Sequence, residues 1–247
     1  MTQSFNMSSP VRQVLITGGS SGIGRATALC LAQVGIEVVL IGRTAARLAQ
    51  AVDTIVAEGG QARFHCLDLA ELSQVKAQIL SIAADLPGLD VLINCAGIGL
   101  VKPLADISLE DWQQVIDLNL TSPLLCAQGV LPCFRQRGRG LIINVASMAA
   151  RQTFPDWGAY SASKAGLLAW GKSMAQEERN HGIRVVTILP GATDTPLWDT
   201  QTLAELNFNR AAMLAPETIA QSISHVVTLP PEAVVEELTM VPAGGAL

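Results

Sequence analysis

Aromatic residues, charged residues and long apolar runs are all scarce in this chain. Phe, Trp and Tyr make up 4% of its 247 residues and charged residues 15%, and Tyr160 is the single tyrosine. No apolar run is long enough to cross a bilayer, and the net charge of −5 is accompanied by no basic block. These absences argue against nucleic-acid and membrane partners. We expect the partner to be a small molecule.

Cysteine and histidine are few, and their spacing favours neither a disulfide framework nor a metal site. The cysteines are odd in number and scattered through apolar segments, at Cys30, Cys66, Cys95, Cys126 and Cys133. Residues 1–10 lack the charged start and apolar run of a signal peptide. We therefore expect a cytoplasmic protein, without metal, whose first ten residues form a flexible tail.

Short β-branched runs alternate with helix-length amphipathic segments from Val11 nearly to the end of the chain. The predicted strands are 11–17, 37–42, 61–67, 91–94, 141–146, 184–189 and 237–241, and the predicted helices are 23–34, 45–58, 72–84, 109–137, 158–181 and 216–229. This alternation predicts βαβ units and a parallel sheet. Because no linker divides the chain, we predict a single α/β domain over residues 11–247.

A glycine-rich loop follows the first predicted strand and leads directly into a helix. It reads TGGSSGIG over residues 17–24. Glycines there permit a tight turn and close approach of a pyrophosphate to the helix N-terminus. The pattern predicts dinucleotide binding rather than an ordinary turn. The loop residues expected to contact the dinucleotide are Gly18, Ser20, Ser21, Gly22, Ile23 and Gly24.

The ends of the second and third strands bear on which dinucleotide binds. Gly42 and Arg43 occupy the place where an acidic residue would accept the ribose hydroxyls of NAD, and an arginine there suits the 2′-phosphate of NADP. We therefore predict NADP(H) over NAD(H), although Arg43 could also be a solvated residue that opens the next helix. Asp68 and Leu69 follow the third strand as further cofactor candidates, and Asp68 could equally cap the next helix.

Tyr160 and Lys164 lie four residues apart on a predicted helix, and so share one face. A cation beside a phenol favours the phenolate and lowers the phenol pKa from about 10. Such a phenol can act as a general acid or base near neutral pH. In isolation the same spacing also occurs at the edge of an ordinary amphipathic helix.

Polar residues follow the remaining strands. Ser147 stands thirteen residues before Tyr160, where its hydroxyl could bond a substrate oxygen. Pro123 lacks an N–H group, so the carbonyl of Asn119 loses its helical partner, and we expect a kink that could bind a water. Small residues of the segment NCAG would let the backbone lie against a flat ring, while its asparagine ties strand ends together. The further candidates are Asn94, Ala96, Gly97, Pro190, Gly191, Thr193 and Thr195. Residues 196–215 are interpreted as a substrate lid, although a buried loop anchored by its large side chains would show the same pattern.

In this order, TGGSSGIG, NCAG, Asn119, Ser147, YSASK and PGATDT resemble the single-domain short-chain dehydrogenase/reductase family, from Val11 to about Val241. The resemblance implies a Rossmann-type, doubly wound, seven-stranded parallel sheet and a nicotinamide cofactor. It also implies that Tyr160 is the acid/base and that Ser147 polarises the substrate carbonyl. Lys164 would bind the nicotinamide ribose and lower the pKa of Tyr160, and Asn119 would hold a water through its carbonyl.

The leading functional hypothesis is an NADP(H)-dependent reductase or dehydrogenase acting on a small carbonyl or alcohol. The alternative enzyme is a 3-oxoacyl thioester reductase, although the C-terminus VEELTMVPAGGAL lacks the TG…VDGG ending of many such enzymes. A dinucleotide-sensing protein without catalysis is a third hypothesis.

The resemblance further implies a homotetramer or homodimer formed through the two long helices, whose apolar residues include Leu124, Leu125, Val130, Leu167, Leu168 and Trp170.

Overall fold

The computed structural model describes residues 11–204 and 208–245 and shows a seven-stranded sheet between two layers of helices. The tail predicted over residues 1–10 lies outside this range. The strands are β1 (Gln13–Thr17), β2 (Glu37–Gly42), β3 (Ala62–Cys66), β4 (Leu89–Asn94), β5 (Gly140–Val145), β6 (Ile183–Pro190) and β7 (Glu237–Met240). The α-helices are α1 (Gly22–Gln33), α2 (Ala45–Ala57), α3 (Leu72–Ala84), α4 (Leu109–Ile116), α5 (Ser122–Arg137), α6 (Gly158–Glu178), α7 (Gln201–Ala204) and α8 (Pro216–Thr228).

All neighbouring strands are parallel, in the order β3-β2-β1-β4-β5-β6-β7. The order reverses between β1 and β4, and a crevice opens at such a point beyond the carboxyl ends of the strands. The predicted doubly wound, seven-stranded sheet is therefore confirmed. The glycine-rich loop and the ends of β4 and β5 meet at this crevice.

Each face of the sheet has its own hydrophobic core, which explains why the strands read as nearly continuous apolar runs. Along β1, Val14 and Ile16 pack in the core on one face, and Leu15 packs in the core on the other. The same alternation continues in β2, where Leu40 faces the first core and Ile41 the second. Burial on both sides makes the sheet a rigid support for the loops at its edge.

The helix predicted over residues 109–137 is interrupted by a π-helical turn at Asp117–Thr121. Pro123 cannot donate a backbone hydrogen bond, and the N–H of Ser122 bonds to the carbonyl of Asp117, five residues earlier. The predicted break is therefore present, as a widened turn that contains Asn119. Turns of this kind occur frequently at functional sites.

A row of buried polar residues crosses the carboxyl end of the sheet. Thr17, Asn94, Asn144 and Thr187 are aligned partners on β1, β4, β5 and β6. Asn94 Nδ2 donates to Asn144 Oδ1 at 2.9 Å and to the carbonyl of Pro123 at 3.3 Å. The prediction that Asn94 ties strand ends together is confirmed.

The apolar residues of α5 and α6 that the sequence suggested for subunit contact divide into two groups. Val130, Leu167 and Leu168 are buried in this chain's own core. Leu124, Leu125 and Trp170 are half-buried and leave apolar surface on the outside. Across the described ranges, no helix has both the length and the apolar character that a membrane span requires.

Candidate active site

Two cavities meet at the carboxyl edge of the sheet, and Tyr160 lies in the wall that they share. The larger, which we call the cleft, has a volume of about 310 Å³ and includes the glycine-rich loop. The smaller, which we call the apolar cavity, has a volume of about 100 Å³. Lys164 lines the cleft, Ser147 lines the apolar cavity, and Tyr160 lines both.

The cleft contains most of the residues predicted to bind a dinucleotide. They are Gly18, Ser21, Gly22, Ile23, Gly24, Arg43, Ala96, Gly97, Tyr160, Lys164 and Thr195. Gly18 has a φ of +67°, and a Cβ atom there would lie 2.9 Å from the Cα of Ala96. A Cβ on Gly24 would lie 2.4 Å from the carbonyl oxygen of Gly18. Only glycine fits these two positions, and the resulting cradle at the N-terminus of α1 could hold a pyrophosphate.

Seven predicted cofactor residues do not line the cleft, and four of them line neither cavity. Ser20 lines a separate pocket beside Arg25, and the side chain of Leu69 is buried in the hydrophobic core. Asn94 uses its amide within the sheet. Asp68 Oδ1 accepts a hydrogen bond from the N–H of Ala70 at 3.0 Å. Core packing occupies the side chain of Leu69, and hydrogen bonds within the chain occupy those of Asp68 and Asn94.

The structure also bears on the capping role suggested for Asp68 and on the location of the turn after β6. Asp68 is not the cap of α3, because that helix begins after Glu71. Pro190, Gly191 and Thr193 line the apolar cavity rather than the cleft, and Thr195 lines both. The turn after β6 therefore lies mainly on the side of Ser147.

Sequence reasoning missed Arg47 and Cys95, which also line the cleft. Arg47 lies four residues after Arg43, and both side chains are exposed. A second arginine close after Arg43 was a usable signal, since two neighbouring guanidinium groups can bind the same anion. Cys95 follows β4 directly, and its N–H donates to Thr17 Oγ1 at 3.0 Å.

Burial controls the acidity of Tyr160. It raises the pKa of the phenol above its usual value, and a hydrogen bond with Ser147 partly opposes this. The expectation that Lys164 brings the pKa below 10 is wrong for the chain alone. Lys164 Nζ donates to the carbonyl of Val145 at 3.1 Å and lies 5.7 Å from the centre of the Tyr160 ring.

Lys164 is itself buried, with 5% of its surface exposed. Burial lowers the pKa of its amine to about 8, and the neighbouring Cys95 opposes the shift. A buried ammonium loses hydration, so the neutral form gains relative to the charged one. The amine is therefore close to its titration range at physiological pH.

Asn119 fixes the loop after β4 in place. Its Oδ1 accepts from the N–H of Ile98 at 2.8 Å, and its Nδ2 donates to the carbonyl of Ile98 at 2.8 Å and to Ser163 Oγ at 3.1 Å. Because the side chain is fully buried, these bonds join the π-helical turn, the loop and α6. The predicted binding of a water by the Asn119 carbonyl stays a prediction.

The segment predicted as a lid, residues 196–215, covers the apolar cavity with Leu197 and Trp198. Trp198 Nε1 donates to the carbonyl of Thr193 at 2.8 Å. Arg210 forms ion pairs with Asp194 and Asp199. Residues 205–207 lie outside the described ranges, and the movement of the lid stays a prediction.

Comparisons with known proteins agree with this arrangement. A family model described as short chain dehydrogenase matches residues 12–205. A 3-oxoacyl-(acyl-carrier-protein) reductase from Synechocystis sp. is 36% identical over 94% of this chain and 95% of its own length. A metagenomic short-chain oxidoreductase solved with NADP has a TM-score of 0.81 at 31% identity, over 94% of this chain and 98% of that one. The closed form of serine dehydrogenase complexed with NADP⁺ has a TM-score of 0.86 at 28% identity, over 95% and 96% of the two chains.

The order of the motifs, the sheet and the family match over most of the sequence lead to one assignment. The resemblance seen in the sequence is confirmed: the chain belongs to the short-chain dehydrogenase/reductase family of oxidoreductases.

Proposed function

We propose that this chain is an NADP(H)-dependent oxidoreductase that interconverts a carbonyl compound and its secondary alcohol. The observation that carries the proposal is the position of Tyr160 between two cavities. Ser147 lines the cavity on one side and Lys164 lines the cleft on the other. A proton donor in the shared wall can serve a substrate in the apolar cavity while a dinucleotide occupies the cleft.

A nicotinamide bound in the cleft would supply the hydride that reaches the carbonyl carbon. The chain's own residues bind and protonate the carbonyl oxygen of the substrate. Ser147 donates a hydrogen bond that orients and polarises the carbonyl, and the Tyr160 phenol gives its proton to the oxygen as negative charge develops. Because burial raises the pKa of Tyr160, the phenol holds its proton at neutral pH, as reduction requires.

Lys164 and Asn119 support this proton transfer. Lys164 Nζ, held by the carbonyl of Val145, places a titratable amine on the cleft side of the phenol. In its charged form the amine stabilises the phenolate left after transfer. Asn119 bonds both to Ile98 in the loop after β4 and to Ser163 on α6, the helix that carries Tyr160 and Lys164.

The preference for NADP(H) over NAD(H) is proposed from two arginines. Arg43 and Arg47 are exposed and both line the cleft beyond the glycine-rich loop. Two guanidinium groups that line the same cleft suit a 2′-phosphate, which accepts charge-assisted hydrogen bonds. The solved relatives that carry NADP support this choice.

A 3-oxoacyl thioester reductase is the second candidate. The Synechocystis sp. relative with that name, which is 36% identical over nearly the full length, favours it. Such a reductase would use the same Ser147 and Tyr160 chemistry on a longer substrate. The two candidates therefore differ in what the apolar cavity must accept.

We also propose a homodimer or homotetramer in the cytoplasm. The half-buried Leu124, Leu125 and Trp170 on the outer faces of α5 and α6 support association. The five cysteines, all free, support a reducing compartment. Light scattering that gives the mass of a monomer would refute the association.

The experiment that tests the activity is the loss of NADPH absorbance with a panel of aldehydes, ketones and 3-oxoacyl thioesters. Tyr160→Phe is expected to lower turnover by about 10²- to 10⁴-fold, the range of a general acid, while NADPH still binds. Near-normal turnover in this variant would discard the mechanism. Binding of NADPH by the unmodified chain with no turnover of any carbonyl or alcohol would instead support the dinucleotide sensor.

A further inference from the structure

The apolar cavity is small, and its lining includes the aromatic residues Phe154, Trp157, Tyr160 and Trp198. Its volume of about 100 Å³ is in the range of a cavity of ~150 Å³ that holds one benzene molecule. Pockets for drug-sized ligands are several times larger, about 300–1,000 Å³. The space beside Ser147 and Tyr160 therefore suits one ring or a short branched chain.

Three aromatic side chains continue from Tyr160 to the lid in edge-to-face contacts. The ring centres of Trp157 and Tyr160 are 5.3 Å apart, and those of Trp157 and Trp198 are 6.0 Å apart. Phe208 lies 5.0 Å beyond Trp198. Such arrangements are favourable for aromatic rings, and an aromatic substituent on a substrate would extend the same packing.

Apart from the Thr195 hydroxyl, the polar side chains around this cavity are already engaged or belong to the proposed chemistry. Trp198 Nε1 donates to the carbonyl of Thr193, and Thr193 Oγ1 donates to the carbonyl of Gly191 at 3.0 Å. Ser147 and Tyr160 are the groups proposed to act on the carbonyl oxygen. Apart from these, the substituent of a substrate meets mostly carbon.

The cavity offers no countercharge to an acidic substrate. Among the described residues that line it, none is Lys, Arg, His, Asp or Glu. Arg210, the cation of the lid, is already paired with Asp194 and Asp199. A carboxylate moved from water into such a site would be buried without a partner, which is strongly unfavourable.

We infer that the substrate is a small, uncharged carbonyl compound whose substituent is one ring or a comparable apolar group, and that Trp198 limits its size. This inference rests on the proposed function and narrows it. Oxo acids fit poorly because of their charge. A 3-oxoacyl thioester fits poorly because its ketone carries the long thioester arm on one side, and the cavity accepts only one compact group.

Probes matched in shape test the inference. Acetophenone carries one ring beside a ketone, benzoylformate adds a carboxylate, 2-acetylnaphthalene adds a second ring, and acetoacetyl-CoA represents the thioesters. With NADPH, we expect kcat/KM for acetophenone to exceed that for benzoylformate by roughly 100-fold, the scale of one unpaired buried polar group. A preference for benzoylformate or acetoacetyl-CoA would overturn the inference while leaving the proposed oxidoreductase activity standing.

Substitutions of Trp198 test whether this residue limits the size of the substrate. Trp198→Ala should shift the ratio of kcat/KM for 2-acetylnaphthalene over acetophenone upward by about tenfold, because it removes a wall of the cavity. Trp198→Phe keeps a ring there and should change the ratio less. Trp112→Phe, on the half-buried face of α4 and outside the cavity, is the matched control and should leave the ratio unchanged. An unchanged ratio in Trp198→Ala, with melting temperature and NADPH binding preserved, would overturn the size limit.

Direct binding separates failure of the inference from failure of the proposed function. Saturation-transfer NMR with the NADPH-loaded protein should show contact to acetophenone and not to benzoylformate, whether or not turnover occurs. Binding of acetophenone without turnover of any carbonyl would refute the activity and support the cavity assignment. Binding of benzoylformate but not acetophenone would refute the cavity assignment.

Discussion

Lys164 Nζ donates a hydrogen bond to the carbonyl of Val145, and it lies 5.7 Å from the centre of the Tyr160 ring. The two side chains share a helical face, yet the amine is held by the neighbouring strand. Burial therefore dominates both titrations. It raises the pKa of Tyr160 and lowers that of Lys164 to about 8.

The pKa of Tyr160 can be measured without labels, because it is the single tyrosine in the chain. In the ligand-free protein we expect phenolate absorbance to appear only above the usual pKa of about 10. Rapid pH-jump measurements would record the titration before the protein unfolds, and Tyr160→Phe provides the blank. A phenolate signal that develops below pH 10 would contradict the assignment of burial as the dominant cause.

Lys164→Met should change how stability depends on pH. The pKa of Lys164 is about 8 in the folded chain, below its ordinary value of 10.5, so between these values the unfolded chain binds more protons than the folded one. The free energy of unfolding of the native protein should therefore rise relative to the variant as pH increases from 8 to 10.5. The rise is at most about 3 kcal/mol.

Urea unfolding of both proteins at pH 7 and pH 10 checks this difference. Lys76→Met removes an exposed lysine from α3 and is the control. A difference between native protein and Lys164→Met that stays constant with pH would show that the amine titrates normally.

Arg43→Ala and Arg47→Ala should each weaken the use of NADPH. One lost hydrogen bond to a charged group costs about 1.5–3 kcal/mol, so kcat/KM for NADPH should fall roughly 10- to 100-fold, while that for NADH changes little. Arg179→Ala, an exposed arginine after α6, carries the same charge change away from the cleft. Equal loss with both dinucleotides would argue against contact with the 2′-phosphate.

Asn94→Ala should destabilise the protein by about 2–4 kcal/mol. The variant leaves Asn144 Oδ1 and the carbonyl of Pro123 without the donor they now share, and each buried unsatisfied group costs about 1–3 kcal/mol. Denaturant unfolding measures the loss, and Asn209→Ala at an exposed position is the control. A change below about 0.5 kcal/mol, the effect of an ordinary surface substitution, would mean that the sheet does not depend on this bond.

Local features of the sequence determined the elements, the glycine-rich loop and the pairing of Tyr160 with Lys164 on one helix. Hydrophobic periodicity and short-range spacing depend on neighbours within a few residues, so they can be read directly from the sequence. The break near Asn119 was predictable for the same reason, since Pro123 lacks a donor whatever surrounds it.

The tertiary structure alone decided which of these groups meet and in what surroundings. Leu69 packs in the core and Asn94 bonds to Asn144 across the sheet. Neither contact was predictable from spacing, because the partners come from distant parts of the chain. The pKa of Tyr160 moved upward because burial depends on residues such as Trp157 and on the lid, whose packing no spacing rule specifies. The separation of Ser147 and Lys164 into two cavities follows from the same packing, because it depends on how the ends of strands far apart in sequence come together.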